Sequence, residues 1–214
     1  MKPIITSIAD GLNQYCPEAV VISLSNPLDA FNYVLYRTSG LSAEQFLGLS
    51  FNDSLRFRCA VGAHYEVSPA DIEAMTVGEH GPSKLPLFST VKIHGRPLES
   101  DAAEQRAILD EMDGWWQKYL QVSGPRSATW TTGAACAQLV GYIAGVSKGP
   151  VCCSTILGEG VSIGYPVLLD GSGVTGYPEL AMTLEEERAF EALVEKNREF
   201  HTAGSLWFVC RCSL

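Results

Sequence analysis

The stretch Ala19-Val20-Val21-Ile22-Ser23-Leu24-Ser25-Asn26-Pro27-Leu28-Asp29 decides the fold class. Its first half is a short, nearly continuous apolar run, and a strand that is apolar on both faces belongs in a parallel sheet covered by helices. Asn26-Pro27 ends the run. Upstream, residues 3–15 place Ile5, Ile8 and Leu12 on one helical face, and Pro17 stops that helix. Downstream, Leu28, Phe31, Val34 and Leu35 define a second amphipathic helix closed by Gly40. Phe46-Leu47-Gly48-Leu49 follows as a second short strand. This alternation of helix and strand predicts an α/β layer.

Further along, Asp53 to about Gly62 reads as a helix and Ala74-Met75-Thr76-Val77 as a strand. The texture changes near residue 85. Phe88 to Ile93 predicts a strand, and Gly95-Arg96-Pro97 a turn. Ile108, Met112, Trp115 and Tyr119 recur at helical spacing. Ala134, Leu139, Val140, Ile143 and Val146 form one face of a long helix ending near Gly149-Pro150. Val151 to Leu157 and Val167 to Leu169 predict an antiparallel hairpin. Thr183-Leu184-Glu185-Glu186 is a capping box that opens a last helix reaching about Phe200. The expected fold is therefore a little α/β followed by α+β, without internal repeats.

The 214 residues are 46% hydrophobic, enough for a buried core, and carry 15 Lys and Arg against 24 Asp and Glu, a formal charge of −9. Basic residues are not clustered, which excludes nucleic acid and anionic membrane as expected partners. No apolar stretch reaches the roughly 18 residues of a membrane span, and the N-terminal residues lack the apolar segment of a signal peptide. The expected compartment is the cytoplasm. Among the seven cysteines, Cys16, Cys59 and Cys136 fall in apolar-periodic segments and read as small hydrophobes. No pair has CxxC spacing, so no metal site is expected, and the thiols read as reduced.

Gly171-Ser172-Gly173-Val174-Thr175-Gly176 matches the dinucleotide-binding pattern G-x-G-x-x-G and follows the apolar run Val167-Leu168-Leu169. That mechanism needs the glycines to open a helix whose N-terminus faces a pyrophosphate. Here Tyr177-Pro178 follows instead, and the next helix starts only around Leu184. The acidic residues about 20 positions on, Glu191 and Glu195, fall on a predicted helix rather than at a strand end. The motif reads as a hairpin turn.

Three other segments carry chemistry: Ser25-Asn26-Pro27-Leu28-Asp29, Asn52-Asp53-Ser54-Leu55-Arg56-Phe57-Arg58, and Val77-Gly78-Glu79-His80-Gly81. Each alone has a plain structural reading: a turn, a surface ion pair, a histidine held between glycines. In this order and spacing they resemble the NAD-dependent L-lactate/malate dehydrogenase family. That family has an S/T-N-P-x-D turn after a strand, a D-x-x-R-F-R helix and G-x-H-G at a strand end. Gly164-Tyr165-Pro166-Val167-Leu168-Leu169 and the capped final helix extend the resemblance over roughly residues 3–200.

The resemblance implies an oxidoreductase that moves a hydride between a 2-hydroxy acid and NAD. His80 is expected as the acid–base, since imidazole titrates near working pH. Asp53 is expected to hydrogen-bond its other ring nitrogen, Arg56 to grip the substrate carboxylate, and Thr129 to line the pocket. Asn26 is expected to orient substrate and nicotinamide, with Ser25 beside it on the cofactor side. Arg58 reads as a packing or subunit-contact residue, and His64 and His94 as structural. Asn52, where the family has an apolar residue, and Pro82, where it has an Asp, depart from the pattern. The Gly-Glu-His-Gly form leans towards lactate-like members.

The resemblance enters the family pattern at the helix before the fifth strand of a 3-2-1-4-5-6 sheet. The first cofactor-binding half and the arginine-bearing loop that sets substrate choice are not among these residues. The expected organisation is a remnant of the Rossmann sheet, its last two parallel strands, at residues 1–50. The mixed α+β C-terminal catalytic domain follows at 51–200, then an atypical tail at 201–214. An incomplete NAD site, an unpaired edge on strand 19–24, and a homo-oligomer using the long helix follow as expectations. A second reading makes the chain a truncated, non-catalytic interaction module.

Overall fold

Two parallel strands begin the sheet, as the opening stretch predicts. In the computed structural model, which describes residues 4–123 and 129–202, helix α1 (Ile4–Tyr15) precedes strand β1 (Val21–Ser23), and α2 (Leu28–Ser39) leads to β2 (Phe46–Gly48). Gly40 caps α2 in the left-handed conformation at φ 75. Helix α3 (Phe51–Tyr65) is followed by β3 (Ile72–Gly78), β4 (Lys84–Ile93) and β5 (Arg96–Pro97). The long helices α4 (Ala102–Ser123) and α5 (Thr129–Ile143) come next, then β6 (Val151–Gly158), β7 (Val161–Asp170), β8 (Gly173–Gly176) and α6 (Leu184–Thr202).

The strands form one sheet in the order β1-β2-β6-β7-β3-β4-β5, with β8 paired to β7. β1 and β2 are parallel, and every other pairing is antiparallel. β2 joins the rest of the sheet through Leu47 opposite Thr155 and Gly48 opposite Ser154. On its other side β1 has no neighbour among the described strands.

Side-chain alternation divides the sheet between two helix layers. Phe46 and Ile156 pack with α1 and α2, whereas Leu47, Val151 and Cys153 pack with Ala135 and Leu139 of α5. On β3, Ile72 and Ala74 face α3 and α4 with Phe57, Ile108 and Met112; Val77 faces the other way, with Phe190 of α6. Burying one such Leu or Phe fully is worth about 1.5–3 kcal/mol.

Several boundaries differ from expectation. The first strand keeps only three of its six apolar-run residues. The predicted turn at Gly95-Arg96-Pro97 shifts back to His94-Gly95, both at positive φ, so Arg96 and Pro97 pair with Ile93 and Lys92. Helix α5 stops at Ile143, because Gly145 turns left-handed at φ 72 and Val146 N–H donates back to Gly141. Val146 therefore lies beyond the helix and exposed, while Val140, within it, lies off the buried face of Ala135 and Leu139.

The cysteines are distributed differently as well. Cys16 and Cys59 are exposed and Cys136 is half-buried; the buried thiols are Cys152 and Cys153 on β6. All five described cysteines are free. Burial pushes the Cys152 thiol up to about 11 and Cys153 well above its ordinary value, so both stay protonated. Cys210, Cys212 and the tail from residue 203 lie outside the described residues.

Gly171-Ser172 is the tight turn between β7 and β8, as the hairpin reading predicts. Gly173 has φ +111, and a Cβ there would lie 2.1 Å from the Glu44 carbonyl oxygen. Close approach to a neighbouring turn requires this glycine. The capping box at the start of α6 also forms: Thr183 N–H donates to Glu186 Oε2 at 2.8 Å, and Glu186 N–H returns to Thr183 Oγ1 at 3.2 Å.

Candidate active site

Three segments distant in sequence meet at the end of β3. The first turn of α3 carries Asp53, a position that suits a carboxylate, and Arg56 follows one turn on. This turn is tied to β3 by Thr76, whose N–H donates to Ser54 Oγ at 3.0 Å and whose hydroxyl donates to the Asp53 carbonyl at 3.4 Å. β3 ends at Gly78, which opens the exit turn at φ +91 and lies opposite Gly164 of β7. A Cβ on Gly164 would sit 2.7 Å from the Gly78 carbonyl, so this approach needs glycine. Two residues beyond Gly78, His80 comes to face Asp53.

His80 Nδ1 lies 2.6 Å from Asp53 Oδ2. A carboxylate only accepts, so Nδ1 carries the proton and Nε2 is the nitrogen left for chemistry. Asp53 is nearly inaccessible, with its side chain 5% exposed, and its second oxygen accepts from Arg56 Nη1 at 3.0 Å. One buried carboxylate thus bridges an imidazole and a guanidinium. Arg56 also lies over Trp115 of α4, its Cζ 4.4 Å from the ring centroid. Trp115 in turn stacks on Tyr119 at 5.2 Å.

Burial is the largest influence on His80 and pushes its pKa down. The hydrogen bond to Asp53, the Asp53 charge and the Asp29 charge push it up, against Arg56, and leave it raised above 6.5. Asp29 of α2 lies on the other side of His80: its Oδ2 accepts the His80 backbone N–H at 2.8 Å. Burial raises the Asp29 carboxyl to about 6, opposed by the nearby Ser154 hydroxyl and by the His80 N–H.

Asp53, Arg56 and His80 therefore form one hydrogen-bonded group, of which His80 borders a cleft. Ser25 and Asn26 emerge exposed after β1, at the carboxyl end of the parallel strands, where ligands of open α/β sheets bind. The next residue, Pro27, lines a cleft with His80, Asp29, Lys196 and His201. Thr129 opens α5, and its side chain lies outside the described residues. Away from the cleft, Arg58 Nε bonds the Ala74 carbonyl at 3.3 Å, a packing contact. His64 lies near Glu104, and His94 shapes the β4–β5 turn. Asn52 is buried in the first turn of α3.

Two participants escaped the sequence reading. Asp29 stands inside the quoted Ser-Asn-Pro-Leu-Asp motif, which was a usable signal. Trp115 carried only its helical spacing, and nothing in the sequence tied it to Arg56. Among the described residues no group of three or more His, Cys, Asp or Glu could hold a metal ion. No described helix is long and apolar enough to cross a membrane.

Comparison with known proteins identifies the fold. Residues 52–199 match the lactate/malate dehydrogenase alpha/beta C-terminal domain. The chain is 32% identical over 193 residues to malate dehydrogenase 1 of Anaeromyxobacter dehalogenans, covering 86% of this chain and 62% of that protein. A malate dehydrogenase of Anaplasma marginale is 29% identical, covering 90% and 65% respectively. The chain thus spans a little under two thirds of the length of these curated relatives. A lactate dehydrogenase of Cryptosporidium parvum superposes with TM-score 0.82 at 25% identity, covering 99% of this chain and 69% of that one. On the strength of the matched domain and these relatives, the chain belongs to the lactate/malate dehydrogenase family.

Proposed function

We propose that this chain supplies the acid–base and substrate-clamping half of an NAD-dependent 2-hydroxy-acid dehydrogenase. The observation that carries the reading is the 2.6 Å contact of Asp53 with His80 Nδ1, with Arg56 on the same carboxylate. In the oxidative direction, neutral His80 Nε2 takes the hydroxyl proton as the C2–H electron pair leaves as hydride. In the reductive direction, protonated His80 returns that proton to the carbonyl oxygen as C2 receives hydride. Asp53 fixes the tautomer and stabilises the imidazolium; in a comparable Asp–His pair, loss of the carboxylate costs about 10⁴ in rate. The raised pKa of His80 favours the protonated form, suited to keto-acid reduction near neutrality.

Arg56 pairs with the substrate carboxylate in a fork geometry that Lys cannot reproduce. Its guanidinium is already held by Asp53 at one edge and Trp115 on one face. Asn26 orients the substrate and the nicotinamide, Ser25 flanks the cofactor, and Thr129 lines the pocket. NAD, when bound, supplies the hydride acceptor. Ser25 and Asn26 suit only its nicotinamide end, because Gly171–Gly176 forms a hairpin turn rather than a phosphate cradle. The Cryptosporidium parvum lactate dehydrogenase was solved with lactic acid and nicotinamide adenine dinucleotide, which supports this substrate class. The named sequence relatives are malate dehydrogenases, which makes oxaloacetate the first keto acid to test, ahead of pyruvate. Assembly into a homo-oligomer through α5 is supported by its Trp130, 90% exposed.

The test is NADH-coupled reduction of oxaloacetate and pyruvate, by this chain and by a version joined to a family cofactor-binding half. Turnover in the joined protein that His80→Gln abolishes supports the proposal. Turnover that survives His80→Gln overturns it, and none in either protein favours the interaction-module reading. NADH fluorescence titration of the chain alone should show weak binding; tight binding would refute the incomplete cofactor site.

A further inference from the structure

We infer that Asp29 is a positioning residue for His80, fixing from the backbone side the turn whose ring Asp53 fixes from the other. The inference rests on the reading of His80 as the acid–base. The geometry is direct: Asp29 Oδ2 accepts the His80 N–H at 2.8 Å across 51 residues of sequence. Asp29 is 4% exposed and sits in the first turn of α2, three residues after Asn26. One carboxylate therefore holds the Ser25-Asn26-Pro27 turn in register with the His80 turn. Two groups proposed to face the substrate from different elements are tied together by it.

The other oxygen shows that Asp29 is more than a neutral anchor. Asp29 Oδ1 is buried with no hydrogen-bond partner, and the residue lines the cleft that also holds Glu79, His80, Lys196 and His201. Leaving a buried carboxylate oxygen unmatched is unfavourable. Holding one backbone N–H requires only a neutral acceptor such as the Asn side chain. What a carboxylate adds is negative charge behind the imidazole, which favours the protonated ring. The charged groups around that ring are Asp53 and Arg56 from α3, Asp29 from α2, Glu79 beside it, and Lys196 with the buried His201 from α6. Lys196 reaches the same turn, 2.9 Å from Ser83 Oγ and 3.8 Å from Glu79. The turn is thus gripped by α2, α3 and α6, and Asp29 is its grip on the catalytic residue itself.

The test is NMR on the purified chain and its Asp29→Asn and Asp29→Ala variants, reading His80 amide exchange and His80 ring titration. Asp29→Ala is expected to speed exchange of the His80 amide about tenfold or more, the scale of a charge-assisted hydrogen bond. Asp29→Asn, whose amide oxygen still accepts, is expected to hold exchange within about threefold. Both should move the ring midpoint to lower pH. Unchanged His80 exchange in Asp29→Ala, or an unmoved ring midpoint in Asp29→Asn, overturns the inference. If Asp29→Ala does not fold, the ring titration of Asp29→Asn decides. Failure of the acid–base reading itself shows separately, as turnover surviving His80→Gln.

Discussion

Asp53 Oδ2 stands 2.6 Å from His80 Nδ1, while Oδ1 of the same carboxylate stands 3.0 Å from Arg56 Nη1. The groups proposed to handle the proton and to bind the substrate carboxylate are thus coupled through one side chain. A change at Asp53 disturbs both, so their losses should not be additive.

Asp53→Asn should move the His80 midpoint to lower pH. Burial, the largest influence on His80, pushes the imidazole down, and the hydrogen bond to Asp53, then the Asp53 charge, are the principal opposing forces. NMR titration of the ring checks the direction. In an active, cofactor-complete protein the same change should reduce turnover by about 10³–10⁴.

Stability should fall as pH rises through the range where His80 and Asp29 titrate. A histidine raised above 6.5 stabilises the fold fully below that value, and this is lost as pH climbs through its folded pKa. Asp29, moved from 3.8 to about 6, binds its proton more tightly when folded, so its cost grows between those values and is full above 6. That cost is on the order of 3 kcal/mol. Urea unfolding of Asp29→Asn against the parent should show a difference that widens in favour of the variant from pH 4 to pH 7. Glu186, lowered in the folded state despite burial, acts in the opposite sense but is common to both proteins.

Arg56→Lys should keep the charge yet lose the planar fork and the face stacked on Trp115. KM for the keto acid should rise about 10- to 100-fold, with a smaller change in kcat. Steady-state kinetics on the joined protein reads the split; an unchanged KM removes Arg56 from the substrate site.

Gly173→Ala separates the two meanings of the glycine motif. With φ +111 and a backbone oxygen 2.1 Å from the new Cβ, the variant should lose about 1–3 kcal/mol of stability. NADH affinity of the joined protein should not change. A selective loss of cofactor binding at unaltered stability would restore the nucleotide reading.

Leu139→Ala, on the buried face of α5, should cost about 2–5 kcal/mol by leaving a cavity beside Leu47 and Val167. Val140→Ala, one residue on and 49% exposed, should cost far less. Denaturant midpoints of the pair check the assignment of faces.

Much of this was legible because periodicity and end signals survive in sequence. The Thr183–Glu186 capping box, Gly40 after α2 and the apolar run before Asn26 each mark an element that formed. That Asp53, Arg56 and His80 would meet was implied by the family resemblance that the ordered motifs carry. What stayed hidden depended on three-dimensional neighbours. Val146 matched a helical stripe, but Gly145 ended α5 first, and Val140, within the helix, lies off its buried face. Cys59 and Cys152 look alike as small apolar residues, and only the sheet decides that the second is enclosed. The Trp115–Arg56 stack joins residues on separate helices, and no local pattern announces such a pairing.

The bare flank of β1 has a consequence for how the sheet grows. Val21–Ser23 offers main-chain donors and acceptors that no described strand takes up. A strand laid along that flank would lengthen the sheet at the margin where Ser25 and Asn26 surface. Whichever polypeptide occupies the margin thereby shapes the doorway through which a nicotinamide ring would reach His80.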